Sequence, residues 1–212
     1  MSIRPHVSPA QWLVAGGSAV LFLVVFALSG WFAPTEYLDI VTLQSLRVQG
    51  NPHLLWIVSV PWLILCSIIV ITIGVRRDRA MLGLRAFAVL AACNVLGQLL
   101  KKVVLHRESI VLSVDDTYPS GHMIAFASVA VALWMVMPRR MRRVYTLIAA
   151  LVLALVAFEL VHYGWHRPSD VIGSLFLVTG VAALGAGPAA REPDDPPAPI
   201  LPPGAQQGPS AR

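Results

Sequence analysis

Four of the six histidines in this 212-residue chain, His106, His122, His162 and His166, fall at or near the same predicted face of the molecule. Around them lie Lys101, Lys102, Arg107, Asp115, Asp116, Glu159, Arg167 and Asp170. Imidazole exchanges protons near neutral pH and can also act as a nucleophile. In a chain this apolar, ionisable residues near helix ends are costly to keep and are functional candidates by default.

Two short segments carry the clearest spacing. Pro119-Ser120-Gly121-His122 precedes a long apolar run, as a helix start does. A helix N-terminus presents unpaired backbone N–H groups and the positive end of the macrodipole, and so binds an anion. Gly121 lets that backbone approach an oxyanion closely, the Ser120 hydroxyl can donate to it, and His122 can protonate a leaving oxygen. The same residues also suit an ordinary helix start with a proline and a capping serine. The second segment is His166-Arg167-Pro168-Ser169-Asp170. Residues four apart on a helix share a face, so Asp170 can accept a hydrogen bond from one nitrogen of His166. That fixes the tautomer and leaves the other nitrogen free as a nucleophile. A purely structural His–Asp pair at a membrane helix end is the alternative.

Asn94, Gln98 and Lys102 are spaced by four and form a polar stripe ending in a cation, with Arg107 following in the loop. A lysine and an arginine converging on one point suit a phosphate group. Lysines in this position also serve as membrane-interface anchors.

These groups must be positioned by elements that live in a bilayer. The chain is 57% hydrophobic and 13% charged, a balance proper to membrane helices rather than to a soluble domain. Six apolar stretches, at about 11–33, 54–75, 81–100, 122–138, 144–163 and 169–187, can each span a hydrocarbon core of ~30 Å. The expected architecture is therefore an all-α, six-helix integral membrane bundle forming one domain over residues 1–187. The first stretch follows Arg4 as a secretory signal would, but its apolar run is too long for one and is read as a retained span.

Arginines set the orientation. Arg76, Arg77 and Arg79 mark the 75–80 connection, with Arg85 just beyond it, and Arg139, Arg140, Arg142 and Arg143 mark the 138–143 connection. Short loops this basic stay in the cytoplasm, which places both termini there as well. The opposite loops, about 34–53, 101–121 and 164–168, face outward. The net charge of +5 comes from clusters between apolar runs, so it is loop charge and no nucleic-acid partner is expected. Cys66 and Cys93 lie inside apolar runs and read as small buried hydrophobes. Residues 188–212, rich in Pro, Ala and Gly, are expected to be a disordered cytoplasmic tail. The preference for arginine over lysine, with abundant Ala, Val, Gly and Pro, hints at a GC-rich bacterial genome, and hence at a bacterial plasma membrane.

Together the three elements resemble the type 2 phosphatidic acid phosphatase family of membrane enzymes, over roughly Asn94 to Gly180. That family carries a lysine- and arginine-containing first motif, a Pro-Ser-Gly-His second motif and a third motif ending in His-x-x-x-Asp. The resemblance implies that His166 attacks phosphorus and becomes phosphohistidine, that Asp170 orients it, and that His122 protonates the departing group. Lys102, Arg107, Ser120 and the Gly121 backbone would hold the phosphoryl oxygens. No metal and no cofactor is implied.

The chain also departs from the family pattern. Measured from Lys102, the usual second Arg-Pro pair falls on Ser109-Ile110, and Glu108 follows Arg107 where proline is expected. Glu159-Leu160 stands where a Ser-Arg pair usually precedes the nucleophile. Arg167, Lys101 and His162 are the candidates to replace the missing cations. Glu159, His162, Tyr163 and His166 would share a face if the fifth span continued far enough. The resulting expectation is an extracytoplasmic phosphatase whose partners are the bilayer and a membrane lipid phosphate. Polyprenyl diphosphate or monophosphate ranks first and phosphatidic acid-like lipids next. The alternatives are a non-catalytic lipid-phosphate-binding relative and a lipid phosphotransferase. Six spans argue against a soluble haloperoxidase of the wider group.

Overall fold

The computed structural model describes residues 7–50, 52, 54–105 and 118–185. Among them are seven α-helices and no strand. They are α1 (Pro9–Trp31), α2 (Ala33–Leu46), α3 (Val60–Arg76), α4 (Ala80–Leu99), α5 (Gly121–Val136), α6 (Arg139–His162) and α7 (Pro168–Gly185). A 3₁₀ turn, Leu55–Ile57, precedes α3, and a π-helical turn, Leu100–Val104, extends α4. Arg107, His106, Asp115 and Asp116 lie outside the described residues, as does the expected tail.

Six of these helices fall on the six apolar stretches, with shifts that capping explains. Ser8 opens α1 through a capping box with Gln11, followed by Pro9 at the first helical position, a pairing that satisfies two orphan N–H groups. The second stretch becomes helical only from Val60, where the Ser59 side chain accepts the Trp62 N–H. The arginines expected in a 138–143 connection lie instead in the first turn of α6, so the α5–α6 connection shrinks to Met137-Pro138. Arg77 Nη1 donates to Val136 O at 2.6 Å, and Arg142 Nε donates to Met137 O at 3.1 Å. Both cations thus meet the terminal carbonyls and negative dipole end of α5.

The departure from expectation is α2. Residues of about 34–53, between the first two apolar stretches, are expected to form an outer loop. They instead hold a 14-residue helix, which at ~1.5 Å per residue is too short to cross a bilayer.

Helices α1, α4, α6 and α7 are long and apolar enough to cross a membrane (α4 counted through Val104), while α3 and α5 are shorter apolar helices of 17 and 16 residues. The core is shared by α1, α3, α4, α5 and α7, around Val70, Ala86, Val89, Cys93, Ala132 and Leu177. Leu13, Leu147 and Leu151 face outward. In lipid such side chains cost nothing, and cohesion comes from close packing of small residues. Gly74 and Gly83 show this directly: a Cβ on Gly74 would stand 2.6 Å from the Gly83 Cα.

Candidate active site

The end of α6 determines where His166 stands. Gly164 takes a left-handed φ of 72°, a conformation that glycine adopts without strain. Its N–H bonds Val161 O at 3.0 Å, and the Trp165 N–H bonds Leu160 O at 2.9 Å. This pair of reversed bonds is a Schellman termination. The His166 N–H also reaches Leu160 O, at 3.1 Å. The chain therefore leaves α6 before His166, and His166 does not continue the face of Glu159 and His162. Glu159 instead accepts the Leu54 N–H at 2.9 Å, and His162 stacks on Phe158 with ring centroids 4.8 Å apart.

His166 also precedes α7 rather than lying in it, and Asp170 occupies the first turn. Their side chains nevertheless meet, with His166 Nδ1 3.2 Å from Asp170 Oδ2. The same oxygen accepts the Arg167 backbone N–H at 3.1 Å, which ties the carboxylate to the helix start. A carboxylate can only accept, so the geometry assigns the proton to Nδ1 and leaves Nε2 with its lone pair. His166 is buried and Asp170 fully so.

The start of α5 is built against this turn. Ser120 caps the helix by accepting the Met123 N–H at 3.3 Å, which leaves its hydroxyl proton available for donation. The Ser120 N–H bonds Asp170 O, and the Ser174 hydroxyl bonds both Ser120 O (3.1 Å) and Asp170 O (2.7 Å). The two helix starts are thereby joined. Tyr118 anchors the approach: its ring packs between Phe22 and Phe26, and its hydroxyl donates to Phe22 O at 2.7 Å. His122 comes to stand with its ring centroid 6.4 Å from that of His166 and 5.4 Å from that of Trp165. A Cβ at Gly121 would lie 3.1 Å from Gln98 Nε2, so the α5 start also abuts the polar stripe of α4.

The lysines are arranged differently from the four-residue repeat. Asn94 donates to Ser128 Oγ at 3.0 Å, a bond within the helix packing. Beyond Leu99 the backbone enters the π-helical turn, whose wider coil changes the register of the stripe. Lys102 is exposed, whereas Lys101 is half-buried and lies, with His166, within electrostatic reach of His122.

Two acids unmarked by any motif complete the arrangement. Asp39 Oδ1 accepts the Ser169 N–H at 2.9 Å, and Asp39 Oδ2 accepts the Ser169 hydroxyl at 2.5 Å. Glu36 Oε1 lies 3.9 Å from Arg167 Nη1, with both side chains buried. Both acids lie in the segment expected to be an outer loop, which drew no attention to them as site residues. Their spacing of three, which puts Glu36 and Asp39 on one helix face, was the available signal.

An all-helical, multi-pass membrane protein thus brings His122, His166 and Asp170 to one end of its bundle, with Lys101 within electrostatic reach of His122. Residues 82–186 match the PAP2 superfamily, and the chain belongs to that superfamily, the type 2 phosphatidic acid phosphatases. Its fold is similar to that of a solved transmembrane PAP2-type phosphatidylglycerolphosphate phosphatase from Bacillus subtilis. The TM-score is 0.64 at 20% identity, over 82% of this chain and 94% of the other. Comparison with curated proteins yields no match.

Proposed function

We propose that the chain is a lipid phosphate phosphatase in which His166 is the nucleophile and His122 the general acid. The observation that carries this reading is the Asp170-oriented His166 standing 6.4 Å, ring to ring, from a histidine at a helix N-terminus. Reacting atoms must approach to roughly 3–3.5 Å, so rings about this far apart can flank a single phosphorus.

In the proposed reaction, His166 Nε2 attacks phosphorus while the bond to the leaving oxygen breaks. His122 gives that oxygen its proton. The Nδ1–H of His166 stays hydrogen-bonded to Asp170, which stabilises the positive charge that grows on the ring. Water then attacks the phosphohistidine, His122 takes the water proton, and phosphate leaves with His166 restored. The N–H groups at the α5 start, the Ser120 hydroxyl and Lys101 oppose the charge on the phosphoryl oxygens, so catalysis rests on positioning and charge stabilisation. Lys102, which is exposed, belongs to the same proposed grip at its edge, and Arg107 is assigned to it by the family resemblance alone.

The substrate is read as a phosphate or diphosphate ester of a membrane lipid. An apolar groove of about 310 Å³ between α1, α2 and α7 is lined by Val25, Leu28, Leu38 and Ile172, with Asp39 and Ser169 also on its wall. It can take a hydrocarbon chain from the bilayer. The proposal includes six spans, cytoplasmic termini and a site on the outer face. Candidate lipids are polyprenyl diphosphate or monophosphate, phosphatidic acid and phosphatidylglycerol phosphate. Phosphate release from each by purified protein, with His166→Ala as control, tests the reading; equal release by the variant rejects it.

One observation favours a second reading. Leu160, at the position of the family's arginine, is fully buried in an apolar cluster, so this chain can be a lipid-phosphate-binding relative without turnover. A single-turnover assay separates the two, because binding without release of phosphate supports the second.

A further inference from the structure

We propose that Glu36 and Asp39, one turn apart on α2, are positioning residues for the His166–Asp170 pair, holding the first turn of α7 in the orientation that presents Nε2 of His166. This rests on the phosphatase reading in so far as it concerns rate, and on geometry alone in so far as it concerns position. Helices usually cap their first N–H groups with a local Ser, Thr, Asp or Asn. The residue ahead of α7 is Arg167, which carries no acceptor. Two local bonds close part of the turn, from the Asp170 N–H to Arg167 O and from the Arg167 N–H to Asp170 Oδ2. The Ser169 N–H is taken by Asp39, from 130 residues away. The same carboxylate accepts the Ser169 hydroxyl.

Ser169 lies between Arg167 and Asp170, so movement at Ser169 moves the Asp170 carboxylate relative to His166. Glu36 acts on the preceding residue. It is fully buried beside the Arg167 guanidinium, and pulling apart two buried opposite charges is costly. The two acids thus fix consecutive parts of one turn, Arg167 and Ser169, from a single helix face. A consequence follows for the anion. The positive end of α7 already faces a fixed carboxylate, so the substrate phosphate is left to the start of α5, where His122 stands.

The test compares Asp39→Ala, Asp39→Asn, Glu36→Gln and Ser169→Ala with the unaltered protein in detergent. The first readout is the low-field proton resonance of the His166 Nδ1–H, identified by its loss in His166→Ala. It should be displaced or lost in Asp39→Ala and kept in Asp39→Asn, whose amide oxygen still accepts the Ser169 N–H. The second is the rate of phosphoenzyme formation. A decrease of about 10-fold or more in Asp39→Ala, with KM within about twofold, marks loss of orientation rather than of binding. Asp39→Asn should recover most of that rate, Ser169→Ala should fall between, and Glu36→Gln should lose rate in the same direction. If Asp39→Ala does not fold, Ser169→Ala carries the test, since it removes only the hydroxyl bond. An unmoved resonance with an unchanged rate overturns the proposal, and so does an Asp39→Asn variant as impaired as Asp39→Ala. Failure of the unaltered protein to release phosphate would reject the phosphatase reading, while the resonance would still decide the positioning.

Discussion

Tyr118 and Gly173 interlock: any Cβ at position 173 would collide with the Tyr118 hydroxyl and ring. The tyrosine occupies the space that a side chain on α7 would fill, and from there its hydroxyl reaches Phe22 O on α1. Tyr118 leads directly into Pro119, Ser120 and the start of α5, so this contact sets how His122 meets α7. Gly173→Val is expected to destabilise the fold by ~1–3 kcal/mol, the usual cost of overpacking, and to lower activity with it. Thermal unfolding in detergent alongside phosphate release measures both. Tyr118→Phe, which loses one buried hydrogen bond and keeps the ring, should cost about 1 kcal/mol.

Asp170→Asn keeps the size of the side chain but lets an amide face His166 Nδ1. The proton is then no longer held on Nδ1, and Nε2 ceases to be reliably the nucleophile. By analogy with other carboxylate-oriented histidines, kcat should fall by a factor on the order of 10³–10⁴. KM should change little, because Asp170 is buried beneath the histidine. Steady-state kinetics on any accepted lipid phosphate checks this.

The proposed cycle needs His166 neutral and His122 charged at its outset, so kcat/KM should be bell-shaped in pH. Protonation of His166 removes activity on the acid side. Loss of the His122 proton removes it on the alkaline side. In His122→Ala the alkaline limb should disappear from the residual activity while the acid limb remains. An alkaline limb unchanged in that variant would assign the acid role elsewhere.

Lys101 and Lys102 are neighbours, but Lys101 is half-buried and within electrostatic reach of His122, whereas Lys102 is exposed. Lys101→Ala should lower kcat/KM by about 10-fold or more, a loss of ~1.4 kcal/mol or above in transition-state stabilisation. Lys102→Ala should stay within about threefold. The reverse ranking would mean that the stripe read from four-residue spacing, not the π-helical turn, places the cation.

Ile172 lines the apolar groove beside Ser169. Ile172→Trp should raise KM for long-chain lipid phosphates while leaving short-chain, water-soluble phosphate esters unaffected. Equal effects on both would place the hydrocarbon chain elsewhere.

Much of this molecule was written locally. Apolar runs gave the positions of six helices, because a span needs only length and hydropathy. Pro119 to His122, with its serine cap, and the pairing of His166 with Asp170 were legible for the same reason: each depends on residues within a few positions. Tertiary structure decided what depends on a neighbour. The interrupted polarity of 34–53 hid α2, since Glu36 and Asp39 become tolerable in a helix only when Arg167 and Ser169 receive them. The face shared by Glu159, His162 and His166 was lost to Gly164, whose left-handed turn ends α6 before His166. The different burial of Lys101 and Lys102 comes with a π-helical turn that spacing alone does not announce. Sequence periodicity reports one helix at a time, whereas the approach of His122 to His166 depends on how α5, α7 and α2 fix one another.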